Sequence, residues 1–229
     1  SDDGGRIAIS LGRGITVMEY VAGSASWIPL GTVITEAGIV ASADLDSSGD
    51  LLAIATADSD GLPLARLYRF DGVAWQLEPG ELRMGEDIHE DIVDQVVQTH
   101  VALDPAGTHL LYSIVGCGCS GAGYVQAFAH DTDSDQWVPL GSRIEGAGSY
   151  GSALGMSADG LTIAVGAPLV GSDANMFGNG RVEVFRFDVP SGQWTARGAA
   201  MTGVANGQRL GSSVSLDADA NIMLIGSPS

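Results

Sequence analysis

An internal repeat constrains the fold of this 229-residue chain more than any other feature. Its four tryptophans lie in similar sequence surroundings, with spacings of 48, 62 and 57 residues, at Trp27, Trp75, Trp137 and Trp194. A small polar turn followed by a short apolar segment recurs five times in register with them, beginning at Asp3, Ser48, Ala106, Asp159 and Asp219. A period of this length indicates one supersecondary unit per repeat, stacked against its neighbours.

Each repeat contains segments in which apolar and polar residues alternate, which is typical of a strand with two different faces. The fourth repeat shows the order most clearly. A strand over Gly151–Ser157 is followed by a turn, a strand over Leu161–Gly166, a long loop, a strand over Arg181–Phe187, a tight turn and a strand that carries Trp194. Four antiparallel strands per unit, repeated radially, predict an all-β fold of the β-propeller type.

The repeat boundaries predict five units over residues 1–35, 36–84, 85–146, 147–203 and an incomplete 204–229. The first unit lacks its first strand, and the last ends after its second. A C-terminal first strand could complete the N-terminal unit, but the segment Ile222–Gly226 would then be surplus. We therefore expect a partial or open array of four to five units, whose open sheet edges make self-association possible.

The charge balance excludes some partners. The chain has 28 acidic residues against 10 basic ones, all of them arginine, for a net charge of −18. Because such a field repels phosphate backbones, nucleic acid is not an expected partner, whereas divalent cations and basic surfaces are. The acidity is also explained by solubility alone. No apolar run approaches the ~18 residues of a membrane span, so we expect no membrane insertion.

The only cysteines, Cys117 and Cys119, are separated by one glycine. The fold therefore has no disulfide framework. A strained bridge between the two would suit a redox or soft-metal role, while two thiols or a local staple that shapes the loop is the plainer interpretation.

Two segments carry a family resemblance. Tyr150–Leu154 followed by Val165–Pro168 resembles the FG-GAP repeat of integrin α-subunit propellers and related microbial or algal surface proteins, and Leu210–Val214 with Ile225–Pro228 is a near match. The resemblance is strong over residues 138–229 and weaker before them. It implies a β-propeller and an extracellular or cell-surface location.

The resemblance also implies a non-catalytic recognition or adhesion module that binds a protein or glycan through its rim loops. FG-GAP repeats accompany hydrolases and lyases too, so an enzyme-associated domain is an alternative, and a self-assembling structural array is another. The sequence shows no nucleophile elbow, phosphate-binding glycine loop or metalloprotease motif.

In integrins, a turn of the D-x-D-x-D-G type binds calcium. By this resemblance the expected calcium ligands here are Asp44, Asp46, Ser48 and Asp50, with Gly49 permitting the bend. The family's final acidic ligand is replaced by Leu52. The alternative is an ordinary turn rich in Asp, Ser and Gly.

Further candidates lie in connecting loops. An acidic cluster at Glu86–Asp94 includes His89, which could bind a metal; the alternative is that the cluster forms a solvated helical turn or a surface lid. The loops Asp58–Leu64, Val115–Gly123 and Pro168–Gly180 differ in length between repeats. Variable loops on a repeated scaffold are where we expect a binding surface.

Overall fold

A computed structural model describes residues 1, 3–84, 98–116, 123–171 and 178–228. Every regular element in these ranges is a β-strand, which confirms the predicted all-β class. Within the same ranges, no helix has the length and apolar character needed to cross a membrane.

The described strands form five antiparallel sheets. Sheet 1 contains β1 (Arg6–Leu11), β2 (Gly14–Val21), β3 (Ser26–Pro29) and β4 (Ile34–Thr35). Sheet 2 contains β5 (Ser42–Leu45), β6 (Leu51–Ala57), β7 (Pro63–Phe70) and β8 (Trp75–Leu77). Sheet 3 contains β9 (Gln98–Leu103), β10 (His109–Val115), β11 (Gly123–Asp131) and β12 (Gln136–Gly146). Sheet 4 contains β13 (Ala153–Met156), β14 (Thr162–Ala167), β15 (Arg181–Asp188), β16 (Gln193–Ala196) and β17 (Met201–Thr202). Sheet 5 contains β18 (Ser213–Leu216) and β19 (Met223–Gly226).

Within each sheet the strands lie in chain order, as the repeat predicted. Sheets 2 and 3 are four-stranded meanders, β5-β6-β7-β8 and β12-β11-β10-β9. Sheet 4 has the same order with β17 added beside β15, and sheet 1 has β4 beside β2 in the same way. Sheet 5 has only the first two strands of the pattern. The prediction of repeated four-stranded antiparallel sheets is therefore confirmed.

The first four sheets pack face to face in order, and each consecutive pair among them encloses an apolar cluster. The first junction, between sheets 1 and 2, buries Ile15 and Val17 against Leu52, Ile54 and Tyr68. The second junction joins sheets 2 and 3, and the third joins sheets 3 and 4, around the clusters centred on Tyr112 and Val165. The second strands of the middle sheets are covered on both faces, which explains why they are apolar almost throughout.

The first strands of consecutive sheets also lie side by side, with β5 against β9, β9 against β13, and β13 against β18. This approach requires small residues. Gly211 has a φ of +89°, and a Cβ built on Gly166 would lie 2.1 Å from the Gly211 carbonyl oxygen. Glycine is needed at both places, so the small residues of the repeat motif serve the packing of one sheet on the next.

Candidate binding surfaces at the two ends of the sheets

The strand order gives every sheet two different ends. At the turn end lie the tight turns that follow the first and third strands, such as Asp46–Asp50 and Asp71–Ala74. At the loop end lie the longer connections that follow the second and fourth strands, such as residues 58–62 and 36–41. The predicted calcium ligands belong to the turn end, whereas the predicted binding loops belong to the loop end.

One polar side chain organises each described turn between the first and second strands of sheets 2 to 5. Asp46 accepts hydrogen bonds from the Leu51 amide at 3.0 Å and from the Ser48 hydroxyl at 2.7 Å. The same task falls to Asp104, Ser157 and Asp217, which accept backbone N–H groups four or five residues ahead. This recurrence shows that Asp46 has a structural role independent of any cation.

The other predicted calcium ligands contact neighbouring sheets. The Oδ2 atom of Asp44 accepts a hydrogen bond from the Leu103 amide of sheet 3 at 2.9 Å. Asp50 forms an ion pair with Arg6 of sheet 1. The structure thus brings Asp46 and Ser48 together and engages Asp44 and Asp50 elsewhere. Over the residues that are described, no three or more His, Cys, Asp or Glu side chains cluster as a metal site would need.

The turn end also contains a groove of about 700 Å³ between sheets 4 and 5, lined by Ala158, Asp159, Arg186, Ala196, Arg197, Ala218 and Asp219. Asp159 accepts hydrogen bonds from the Ser157 hydroxyl at 2.6 Å and from Arg186 at 2.8 Å. Partial burial opposes ionisation of Asp159, but these two hydrogen bonds outweigh it and lower the pKa to about 2. This carboxylate is therefore charged at neutral pH and already paired.

The loop end of sheet 2 is organised by a buried carboxylate. Glu36, which follows β4, accepts hydrogen bonds from the Tyr68 hydroxyl and from Nη1 of Arg66, both at 2.5 Å. Strand alternation places Arg66 and Tyr68 on the same face of β7, toward sheet 1. The Glu36 side chain is completely buried, so its charge needs this pairing to be tolerated.

The network continues to the surface through two arginines. Arg66 also binds Glu81 at 2.5 Å, Arg83 binds Glu81 at 2.8 Å, and Arg83 binds Asp58 at 2.8 Å. Burial, followed by the nearby Glu36 carboxylate, raises the pKa of Tyr68, which keeps its hydroxyl protonated as a donor. The loop after β6, the connection after β8 and the connection after β4 are thereby tied to one strand. We call these residues, from Glu36 to Asp58 through the arginines, the ionic network.

Sequence reasoning did not find the ionic network. The available signal was Arg66, which, unlike the exposed Arg69 of the same strand, lies at a position that alternation assigns to a buried face. Its partner Glu36 is 30 residues away in sequence.

The predicted loop Asp58–Leu64 lies beside the network. Asp58 accepts hydrogen bonds from the Leu62 and Asp60 amides, at 2.8 and 3.0 Å, which closes the loop and leaves residues 59–61 exposed. The acidic cluster Glu86–Asp94 with His89, both cysteines and residues 172–177 of the third predicted loop lie outside the described residues.

Comparison with known proteins concerns the fold alone. No family model matches the chain, and no curated protein matches its sequence. Among solved structures, a protein from Desulfotomaculum acetoxidans described as functionally unknown superposes with a TM-score of 0.65 at 14% identity. The match covers 100% of this chain and 61% of that one, so the present chain spans about three fifths of that protein's length.

Proposed function

We propose that this chain is a non-catalytic, extracellular or cell-surface recognition module, built as an open array of FG-GAP-type propeller units, that binds a protein or glycan at its loop end. The observation that carries the proposal is the ionic network, which fixes three connections of the loop end to β7. Loops held in place before binding lose less conformational entropy when a ligand docks, which favours affinity.

The chemistry of this surface suits particular ligands. Asp60 is exposed at the tip of the loop after β6, and Glu81 is partly exposed beside it. Carboxylates accept hydrogen bonds from sugar hydroxyls and pair with lysine or arginine on a protein. The net charge of −18 attracts a basic protein surface over longer distances.

A glycan array and a pull-down with extracellular protein fractions identify the ligand, and two matched variants locate its site. Asp60→Arg and Asp133→Arg make the same charge change at exposed turns on opposite ends of the sheets. We expect Asp60→Arg to weaken binding at least ~10-fold and Asp133→Arg to leave it within about twofold. Equal effects of the two variants, or unchanged binding in both, would contradict recognition at the loop end.

We propose a separate calcium site, with Asp44, Asp46, Ser48 and Asp50 as the ligands of the ion. This segment is separated from the loop end by β6, whose seven residues span about 20 Å. A calcium ion there would stabilise the turn without touching a ligand bound at the loop end.

Asp104 provides a matched control for the calcium site, because it holds an equivalent turn without the additional acidic residues of the Asp44–Asp50 loop. Both Asp46→Ala and Asp104→Ala should cost about 1–2 kcal/mol of unfolding free energy in the presence of a chelator. Calcium should raise the melting temperature of the parent and of Asp104→Ala, but not of Asp46→Ala. Titration calorimetry without heat in the parent would refute the site.

A further inference from the structure

Two of the four asparagines in the chain are followed by glycine, at Asn179–Gly180 and Asn206–Gly207. An asparagine side chain can react with the backbone nitrogen of the next residue. Glycine in that next position has no side chain to hinder the approach and gives the backbone its widest choice of angles. The two pairs are therefore alike in an unfolded chain, but their surroundings in the folded protein differ.

The first pair is fixed immediately before β15. The Gly180 amide donates a hydrogen bond to the Val170 carbonyl at 3.1 Å, and the Asn179 carbonyl accepts one from the Leu210 amide at 3.0 Å. Gly180 is buried, and a Cβ built on it would lie 2.2 Å from the Leu210 nitrogen. Because the nitrogen that would attack the Asn179 side chain is bound and enclosed, a reaction there first requires local unfolding.

The second pair lies at the loop end, in the connection from β17 to β18, and the amides on both sides of it are hydrogen-bonded. Oε1 of Gln208 accepts from the amides of Val204 and Ala205, at 2.7 and 3.3 Å. The amides of residues 208–211 donate to backbone carbonyls. Within this connection, as far as the structure describes it, only the two amides of the second pair donate no hydrogen bond.

The side chain and backbone of the second pair are both accessible to this reaction. Asn206 is exposed, and its side-chain amide forms no hydrogen bond to any described residue. Gly207 has a φ of +82°, in a backbone region that glycine enters without strain. The connection is thus anchored before and after the pair, while the reacting groups themselves are unrestrained by hydrogen bonds.

We propose that Asn206 is a site of spontaneous deamidation in the folded protein. The Gly207 nitrogen gives its proton to water and forms a bond to Cγ of Asn206. The bond from Cγ to Nδ2 breaks, and the side-chain nitrogen takes up a proton and leaves as ammonia, which produces a succinimide ring. One water molecule then opens the ring at either carbonyl, to give aspartate or isoaspartate. The reaction consumes one water, releases one ammonia and needs no cofactor.

The modification changes both the charge and the geometry of this connection. Either product adds a negative charge, and isoaspartate also adds one carbon atom to the main chain between Gln208 and the two amides that its side chain accepts. We expect that contact to break in the isoaspartate form. A ligand at the loop end would then meet a different surface, a consequence that rests on the proposed function, whereas the modification itself does not.

Incubation of the intact folded protein at neutral pH, followed by peptide mass mapping, tests the proposal. Tryptic cleavage after Arg181, Arg197 and Arg209 places the two pairs in separate peptides. We expect conversion at Asn206 to be at least ~10-fold faster than at Asn179, because the Gly180 nitrogen is released only by local opening.

The same measurement in denaturant is the control for intrinsic reactivity. Once the hydrogen bonds of the first pair are lost, both pairs should react at similar rates. Equal rates in the folded protein would overturn the proposal, and so would the absence of conversion at Asn206 over a period in which the denatured chain reacts.

Two variants identify the reacting atoms. Asn206→Gln would need a larger ring, which forms much more slowly, so the acidic species that accumulates in the parent on ion exchange should be absent. Gly207→Ala keeps the asparagine but hinders its attacking neighbour, and should slow conversion about tenfold or more. Circular dichroism confirms that both variants fold. An acidic species that forms at the parent's rate in either folded variant would refute this assignment.

Discussion

The second and third junctions each bury a tryptophan between two sheets, but the two tryptophans have different surroundings. At the third junction, Trp194 packs beside Phe187 over Gly141 and donates its N–H to Leu140. At the second junction, Trp137 packs beside His130 instead, and its N–H is buried without a hydrogen-bond partner among the described residues. Gly80, the glycine that follows β8, has only the Gln136 side-chain amide within 4 Å of a Cβ position in the described part of the chain.

The hydrogen bonds between first strands differ in the opposite direction: the second junction has them and the third does not. At the second junction, Asp44 accepts a hydrogen bond from the Leu103 amide and the Ser47 amide donates to the Pro105 carbonyl, both at 2.9 Å. At the third junction, Ala102 stands in the place of Asp44 and Pro105 in the place of Ser47. Alanine has no acceptor in its side chain and proline has no N–H. The second junction is therefore linked by hydrogen bonds at its first strands and the third at its tryptophan.

Truncating the two tryptophans should expose this difference most strongly. Trp194→Ala removes a large packed ring and leaves the Leu140 carbonyl without its donor, so we expect a loss of about 4 kcal/mol of unfolding free energy. Trp137→Ala also removes a donor that is unsatisfied in the folded protein, so its cost should be about 2 kcal/mol. Denaturant unfolding measures both values.

Phenylalanine variants separate the ring from the hydrogen bond. Trp194→Phe should cost about 1–3 kcal/mol because the Leu140 acceptor is left unpaired, while Trp137→Phe should be nearly neutral. Equal costs for the two phenylalanine variants would show that the indole hydrogen bond does not distinguish the junctions.

The glycines at the equivalent positions of the two junctions, Gly141 and Gly80, should show a smaller difference in stability when substituted. Gly141→Ala places a methyl group 2.9 Å from the Trp194 ring at a residue with a φ of +69°, and we expect a loss of about 2–3 kcal/mol. Gly80→Ala has a similar backbone penalty at +89° but open space around the methyl group, so its loss should be about 1 kcal/mol. Thermal unfolding of both variants gives the steric contribution as their difference.

Much of this fold follows from features that are local in sequence. Tryptophan spacing gives the repeat, alternation gives the strands, and the polar turns give their order, because each depends on residues close together in the chain. The difference between the junctions does not follow in this way. Whether Trp194 or Trp137 finds an acceptor depends on the position of a backbone carbonyl more than 50 residues earlier, in another sheet.

The candidate sites show the same limit. The hydrogen bonds of Asp104 and Ser157 in the corresponding turns show that Asp46 also belongs to the turn itself, while calcium binding at this motif stays a prediction. The ionic network depends on Glu36 and Arg66, which only the packing of sheet 1 on sheet 2 brings together. Spacing in sequence could indicate Arg66 as unusual, but not its partner.

The smallest expected effect concerns His100, which stands on β9 where sheet 2 has Ser42. At the second junction the Ser42 hydroxyl accepts from the Val101 amide at 3.4 Å, whereas Nε2 of His100 is buried and has no hydrogen-bond partner within the described ranges. Burial lowers the pKa of His100 below its ordinary 6.5. The folded state therefore resists a proton that the unfolded state accepts.

The sign of the pH effect follows from that difference. The contribution of His100 to stability is complete above pH 6.5, where both states are neutral, and it declines as pH falls below 6.5 because only the unfolded state gains a proton. His100→Gln should reduce the loss of unfolding free energy between pH 7 and pH 5 by a fraction of the ~1.4 kcal/mol that one linked proton allows per pH unit. An unchanged pH slope in this variant would show that His100 takes up its proton as readily in the folded state as in the unfolded state, and that the third junction accommodates a charge on β9.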